Sequence, residues 1–144
     1  MSATTIQQFP EIDVAPLERA TSQLDKAITA WQANPSDEFI RDAVIQRFEF
    51  TYELSIKMMR RYLKLIAATD DEVNELTFRE LIRRGGDLKL LQGDISDWLQ
   101  FRQARTDTVH TYNEVRAVEV AGASIKFASE AQFLLRELKV RTRL

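Results

Sequence analysis

Hydrophobic side chains recur every three or four residues along most of this sequence, a spacing that is typical of amphipathic helices. The first helix is predicted to begin at Pro16, because proline is favoured in a first helical turn, and to end at Asn34-Pro35. A second helix, with Ser36 as its predicted N-cap, runs without a helix-breaking residue from Asp37 to about Ala68. Two apolar stripes follow this segment, so it should lie at the centre of the fold and contact several neighbours.

The second half of the chain carries the signals of three more helices. They are a short helix opened by the capping box Thr77–Glu80 and closed by Gly85-Gly86, a helix from Ile95 to about Ala104, and a long helix capped by Asn113 or Thr111 that ends near Arg141. An acidic connection is predicted over residues 69–75, and the Ala121-Gly122-Ala123 run is expected to allow a close helix crossing. No segment shows the two-residue alternation of a β-strand.

The predicted architecture is an all-α, antiparallel up-and-down bundle of four to five helices. Residues 15–144 form one domain in this prediction, and residues 1–14 form a flexible N-terminal tail. A hydrophobic fraction of 44% and a charged fraction of 29% are typical of a soluble globular chain, and 144 residues allow one core of ordinary size.

The composition excludes several kinds of site. The chain has no cysteine, which removes disulfides, thiol nucleophiles and thiolate metal ligands, and its single histidine argues against a metal site. A net charge of −2 gives no overall basic field for nucleic acid, so any contact with RNA must come from local patches. Neither a signal-peptide pattern nor an apolar run of about 20 residues is present, so we expect a cytoplasmic protein without a membrane partner.

The residues with the greatest chemical potential lie together in Arg105-Thr-Asp-Thr-Val-His110-Thr-Tyr112. A guanidinium binds phosphate oxygens, an imidazole transfers protons near neutral pH, and a phenol can be modified. Threonine and aspartate favour helix caps over helix interiors, so we predict a break within this segment, which would expose backbone N–H groups to an anion.

Spacing alone leaves two interpretations of this segment open. In the first, Arg105 and His110 serve a common phosphate site, and Tyr112 shares a helix face with Arg105. In the second, His110 is a capping or half-buried residue, Arg105 is a surface ion-pair former, and Tyr112 is an ordinary amphipathic residue. Arg102, one turn before Arg105, either adds a second cation to the site or stays on the surface.

Other charged residues also allow two interpretations. Arg47, Glu49 and Glu53 are predicted to form interhelical or intersubunit ion pairs on the second helix. Two basic clusters, over residues 57–64 and 79–89, either follow an RNA backbone or are solvated helix faces.

The segment resembles the Arg-x4-His-x-Tyr motif of HEPN-domain proteins, specifically the HepT-like toxins, which are also described as nucleotidyltransferase substrate-binding proteins. A second stretch, Arg41–Ser55 (RDAVIQRFEFTYELS), is similar to the central-helix signature of that family, and the resemblance covers about residues 17–140. Two departures are visible. Ile56 stands where the family commonly has tryptophan, and Thr106 follows the motif arginine where Asn, Asp or His is usual. A carboxylate appears one position later, at Asp107.

The resemblance implies a ribonuclease toxin that works without a metal or cofactor, as a homodimer whose two motifs face one cleft. His110 would act as general base or acid on an RNA 2′-OH and on the leaving oxygen, and Arg105 would stabilise charge on the phosphorane-like transition state. Arg102, Thr106 and Asp107 would support binding. RNA is the implied substrate, with tRNA among the candidates.

The resemblance also implies a partner protein. This partner is a minimal nucleotidyltransferase antitoxin that uses ATP and Mg²⁺ to transfer AMP onto the motif tyrosine, here Tyr112. A bulky anion beside Arg105 would occupy the phosphate site and repel RNA.

The leading hypothesis is therefore a HEPN ribonuclease toxin of a type VII-like toxin–antitoxin pair. The alternative is a non-catalytic nucleotide- or substrate-binding subunit of a two-component nucleotidyltransferase, which Thr106 and the acidic charge favour. A purely structural dimeric bundle explains the scaffold but leaves Arg105, His110 and Tyr112 unexplained.

Overall fold

The computed structural model describes residues 12–142, so residues 1–11 of the predicted tail lie outside the described range. Its helices are α1 (Ala15–Ala33), α2 (Glu38–Ile66), α3 (Asp70–Asn74), α4 (Phe78–Asp87), α5 (Ile95–Asp107) and α6 (Glu114–Thr142). Residues 12–142 contain no strand, and the all-α helical fold is confirmed, with α3 as one short helix more than expected. Ile12, which the sequence placed in the tail, is buried against the core.

The 29-residue helix α2 lies at the centre of the fold, as predicted. It packs along α1 and α6 and also contacts α3 and α5. Five aromatic side chains fill the space between α2, α5 and α6, with neighbouring ring centroids 5.2–6.2 Å apart: Phe48, Tyr52, Trp98, Phe101 and Phe127. Edge-to-face pairs of this kind add about 0.5–1.5 kcal/mol each beyond the burial of their surface. The cluster fixes α5 against α2 and therefore fixes the end of α5, where the motif begins.

Most helix ends follow the sequence signals. Pro16 lies in the first turn of α1, and the capping box between Thr77 and Glu80 opens α4 as predicted. Helix α2 is capped by Asp37, however, and not by Ser36. The Asp37 carboxylate accepts hydrogen bonds from the backbone N–H groups two and three residues later, at 2.9 and 3.1 Å. A carboxylate at this position also places negative charge at the positive end of the helix dipole.

The acidic connection over residues 69–75 contains helix α3, which the sequence did not predict. Thr69 caps it by accepting a hydrogen bond from the backbone N–H of Glu72 at 3.3 Å. Val73 anchors the turn because its side chain is fully buried in the core. Arg60 on α2 donates to the carbonyl oxygen of Val73 at 3.1 Å, so a residue of the first basic cluster is committed to a structural contact.

The glycines of α4 and α6 depart from what the sequence predicted for them. Helix α4 continues through Gly85-Gly86 to Asp87, and the chain reverses at Lys89, whose φ is 63°. Gly85 serves close packing instead, because a Cβ there would lie 3.0 Å from the Met59 sulfur. At Gly122 a Cβ would meet no atom within 4 Å, so Gly122 itself takes no part in a close helix contact, whereas Ala121 beside it is fully buried.

Candidate functional site

The motif segment leaves the helical path, as the sequence predicted. Helix α5 ends at Asp107, and a 3-10 turn covers Thr108–His110 before α6 begins. The turn is closed by a hydrogen bond from the Asn113 N–H to the His110 carbonyl oxygen at 3.1 Å. The Asn113 side chain accepts from the N–H of Arg116 at 3.2 Å, which confirms Asn113 as the cap of α6. The turn between α5 and α6, which we call the motif turn, is therefore held by hydrogen bonds and places the motif residues at the surface.

His110 and Tyr112 project from this turn into solvent. Tyr112 is 86% exposed, and His110 is also exposed. Their ring centroids are 6.0 Å apart, with the ring planes inclined at 77°. The half-buried position considered for His110 is therefore wrong. Arg105 and Tyr112 would share a helix face only on an unbroken helix, and because α5 ends at Asp107 they do not.

Arg105 lies on the last turn of α5 and is held by two carboxylates of α2. Its Nε donates to Glu53 Oε2 at 3.1 Å, its Nη2 also contacts Glu53, and Nη2 lies 3.1 Å from Glu49 Oε2. Its Nη1 donates to the Thr108 hydroxyl at 3.2 Å. The hydrogen bond with Glu53 raises the pKa of Arg105 above its already high ordinary value. The guanidinium is therefore a fixed cation whose side chain remains 27% exposed.

The three tyrosines of the chain differ sharply in accessibility. Tyr52 is buried in the aromatic cluster, and burial raises its pKa to about 12, so the phenol stays neutral. Tyr62 is half-buried, with the Arg141 guanidinium 5.8 Å from its ring centre. Tyr112 alone among them is an exposed phenol in the described chain, which makes it the tyrosine most accessible to a modifying enzyme.

The three residues predicted to support the site have other partners. The Arg102 guanidinium lies 4.7 Å from the ring centre of Phe78 on α4. The Thr106 hydroxyl donates to the Arg102 carbonyl oxygen at 3.1 Å. Asp107 accepts from Gln103 at 3.1 Å and from Arg116 at 3.0 Å. Asp107 thus joins the end of α5 to the start of α6, and Arg102 joins α5 to α4. A direct catalytic role for the three residues stays a prediction.

Glu49 and Glu53 belong to the site through their contacts with Arg105, a partner that the sequence did not identify. The sequence predicted interhelical or intersubunit ion pairs for them, and the interhelical interpretation is confirmed by their contacts with Arg105. Their spacing of four residues places both on one face of α2, which was the available signal. Arg47 forms no ion pair within residues 12–142, and it donates a hydrogen bond to the Gln23 carbonyl oxygen on α1 at 2.9 Å.

Glu130 is a buried carboxylate that the sequence analysis missed. Its oxygens accept hydrogen bonds from Trp98 Nε1 at 2.6 Å, from the Gln92 N–H at 3.1 Å and from the Gly93 N–H at 3.0 Å. These contacts bind α6 to the loop before α5 and to α5 itself. No sequence pattern pointed to them, because the donors lie 32 to 38 residues from Glu130.

Two further properties of residues 12–142 bear on the class of site. No group of three or more His, Asp or Glu side chains in this range is arranged to hold a metal ion. Likewise, none of the helices in the described range is long and apolar enough to cross a membrane.

Known proteins resemble this chain in sequence. The chain is 39% identical over 97 residues to a probable ribonuclease HepT of Haemophilus influenzae, and the match covers 67% of this chain and 66% of that protein, just under two thirds. A weaker match, 24% identical over 115 residues, covers 79% of this chain but only 14% of a DNA gyrase polypeptide of Halalkalibacterium halodurans.

The fold also matches a solved structure. This is HI0074 of Haemophilus influenzae, described as the fold of a substrate-binding domain of a nucleotidyltransferase. It superimposes with a TM-score of 0.81 and 30% identity, covering 88% of this chain and 99% of that one. The profile of proteins described as nucleotidyltransferase substrate binding protein like matches residues 12–140. The match spans the whole bundle and the motif turn, so this chain belongs to the family of nucleotidyltransferase substrate-binding-like proteins.

Proposed function

We propose that this protein is a metal-independent endoribonuclease of the HepT type, the toxin of a toxin–antitoxin pair. The observation that carries the proposal is the exposed His110 on the α5–α6 turn, following the fixed Arg105 cation on a chain that is 39% identical to a probable ribonuclease. RNA, with tRNA as one candidate, would be the substrate, and the cytoplasm would be the place of action.

The cleavage step follows from the chemistry of the two side chains. His110 takes the proton from an RNA 2′-OH, and the 2′ oxygen attacks the adjacent phosphorus. The bond from phosphorus to the 5′ oxygen breaks, and that oxygen leaves with a proton from a second imidazole. The products are a 2′,3′-cyclic phosphate and a 5′-hydroxyl. Arg105 stabilises the charge that develops on the phosphate oxygens.

A homodimer meets the requirement for two imidazoles. Each chain has one histidine, so a two-fold cleft supplies one His110 as base and the other as acid. Two apolar side chains support an interface at this end of the bundle: Val109 in the turn is 67% exposed, and Val115 in the first turn of α6 is 68% exposed.

The exposed phenol of Tyr112 supports control by a nucleotidyltransferase antitoxin. In this reaction the Tyr112 oxygen attacks the α-phosphorus of ATP, pyrophosphate leaves, and the phenolic proton passes to solvent or to a base of the partner. The partner supplies the Mg²⁺ and ATP site. The added AMP places an anion near His110, where it would repel an RNA backbone and obstruct the imidazole.

The alternative is a non-catalytic subunit that binds nucleotide or substrate for the partner enzyme. The contacts of Arg105 favour it, because all three guanidinium nitrogens already have protein partners and a phosphate must share or displace them. The description of HI0074 as a substrate-binding domain also supports this alternative.

Expression in a bacterial host separates the two functions. The toxin predicts growth arrest by the wild-type chain, relief by His110→Ala, and relief by co-expression of a cognate nucleotidyltransferase. Growth arrest by His110→Ala equal to that of wild type would remove His110 from the mechanism. A wild-type chain that never arrests growth, but binds the nucleotidyltransferase and its substrate, would establish the binding subunit.

A further inference from the structure

A groove of about 610 Å³ lies between α1 and α2 and begins at the carboxylates that hold Arg105. Glu49 and Glu53 line this groove and also contact the Arg105 guanidinium, so the motif arginine lies directly behind the carboxylates at one end of the groove. We call it the α1–α2 groove. Its volume is within the range of pockets that hold a small molecule or one nucleotide.

The wall of the α1–α2 groove combines an aromatic ring with two arginines. Phe50 is 57% exposed, although its ring is large and apolar. Arg19 on α1 is exposed, and Arg47 on α2 is half-exposed and is steadied by its hydrogen bond to the Gln23 carbonyl. An accessible ring beside guanidinium groups is the arrangement that binds single-stranded nucleic acid, because bases stack on the ring and phosphates pair with the cations.

The balance of charge along the groove also permits an anion. Glu49 and Glu53 direct their carboxylates to Arg105, which offsets part of their charge at that end. Arg19 is on the α1 wall, and no ion pair links it to a carboxylate in the described chain. The cationic side of the groove is therefore the α1 wall.

We propose that the α1–α2 groove binds a nucleotide of single-stranded RNA next to the scissile phosphate, with its base on Phe50 and a phosphate on Arg19. This inference rests on the proposed ribonuclease function and describes how the enzyme would hold its RNA substrate.

The test measures binding of a fluorescein-labelled, 2′-O-methylated 12-mer RNA by anisotropy, since the methyl group blocks cleavage. Phe50→Leu should weaken binding roughly five- to hundredfold, the range for loss of one base stack. Phe39→Leu is the matched control, because Phe39 is on the same helix, is 88% exposed and does not line the groove. It should bind RNA as wild type does.

Salt dependence tests the arginine separately. Arg19→Gln should reduce the slope of log affinity against log salt by about 0.7, the value for one phosphate contact with a single strand. Arg136→Gln, an exposed arginine of α6 outside the groove, should leave the slope unchanged.

Three results would overturn the proposal. Equal affinities for Phe50→Leu and Phe39→Leu would show that no base stacks there. A change of molar mass by light scattering in Phe50→Leu alone would assign Phe50 to a contact between protein chains. An unchanged salt slope in Arg19→Gln would remove the phosphate contact. If wild type still cuts unmodified RNA in those cases, the groove proposal fails alone; if wild type neither binds nor cuts RNA, the ribonuclease function fails with it.

Discussion

Replacement of Glu130 tests how much one buried carboxylate on α6 contributes to the stability of the fold. Glu130 is 2% exposed and accepts hydrogen bonds from Trp98 Nε1, from the Gln92 N–H and from the Gly93 N–H. In Glu130→Ala the indole N–H, fully buried, loses its acceptor, which costs about 1–3 kcal/mol. The two backbone donors are more exposed and can reach water, so each adds less than about 1 kcal/mol by the same reasoning.

These terms predict a loss of about 2–4 kcal/mol in the free energy of unfolding for Glu130→Ala. Glu130→Gln keeps the shape of the side chain, but its single carbonyl oxygen can accept only from the indole or from the backbone donors. A loss of about 1–2 kcal/mol in the free energy of unfolding is therefore expected. The assay is equilibrium unfolding in urea, followed by circular dichroism and tryptophan fluorescence. Glu137→Gln, which removes an i,i+4 pair with Arg141 on the same helix, should cost about 0.5 kcal/mol. A loss below about 1 kcal/mol in Glu130→Ala would refute the reasoning.

Three further outcomes are expected. Gly93→Ala should destabilise the fold in the same urea assay, because a Cβ there would lie 3.1 Å from a Glu130 carboxylate oxygen and 3.2 Å from Asp97 Cβ. Gly122→Ala is the control and should be neutral or stabilising, because a Cβ there would meet no atom within 4 Å. Hydrogen bonds, chiefly from Thr77 and from Lys126, lower the pKa values of Glu80 and Asp97 below their ordinary 4.5 and 3.8. Their contribution to the stability of the fold is therefore full above those ordinary values and is lost as the pH falls. Glu80→Gln and Asp97→Asn should flatten the fall in stability below about pH 5, and an unchanged acid profile would contradict this. A cognate nucleotidyltransferase with ATP and Mg²⁺ should add AMP, detected by intact mass, to wild type and to Tyr62→Phe but not to Tyr112→Phe.

The local elements of the fold could be predicted because their signals are local. The capping box at Thr77, the proline in the first turn of α1 and the cap at Asn113 act within a few residues of themselves. The break after Asp107 was predicted from the same kind of signal, since threonine and aspartate compete with helical hydrogen bonds.

The contacts between distant residues could not be predicted in the same way. Arg105 and Glu53 are 52 residues apart, and their pairing depends on how α5 packs against α2. Gly85 was taken as a helix stop because glycine often ends helices, but its role is set by Met59 and Leu91, which pack against it. Amphipathic spacing gives the buried face of a helix and does not give the partner of each residue on it.

The most direct test of the central claim is RNA cleavage by the purified protein in excess EDTA, comparing wild type with His110→Ala. Because His110 is exposed, the substitution should change the stability by no more than about 0.5 kcal/mol, so loss of activity cannot come from unfolding. We predict that wild type cuts RNA in EDTA to leave 2′,3′-cyclic phosphate ends, and that His110→Ala is slower by at least about 100-fold. Cleavage that disappears with EDTA, or that persists at the wild-type rate in His110→Ala, would contradict the account.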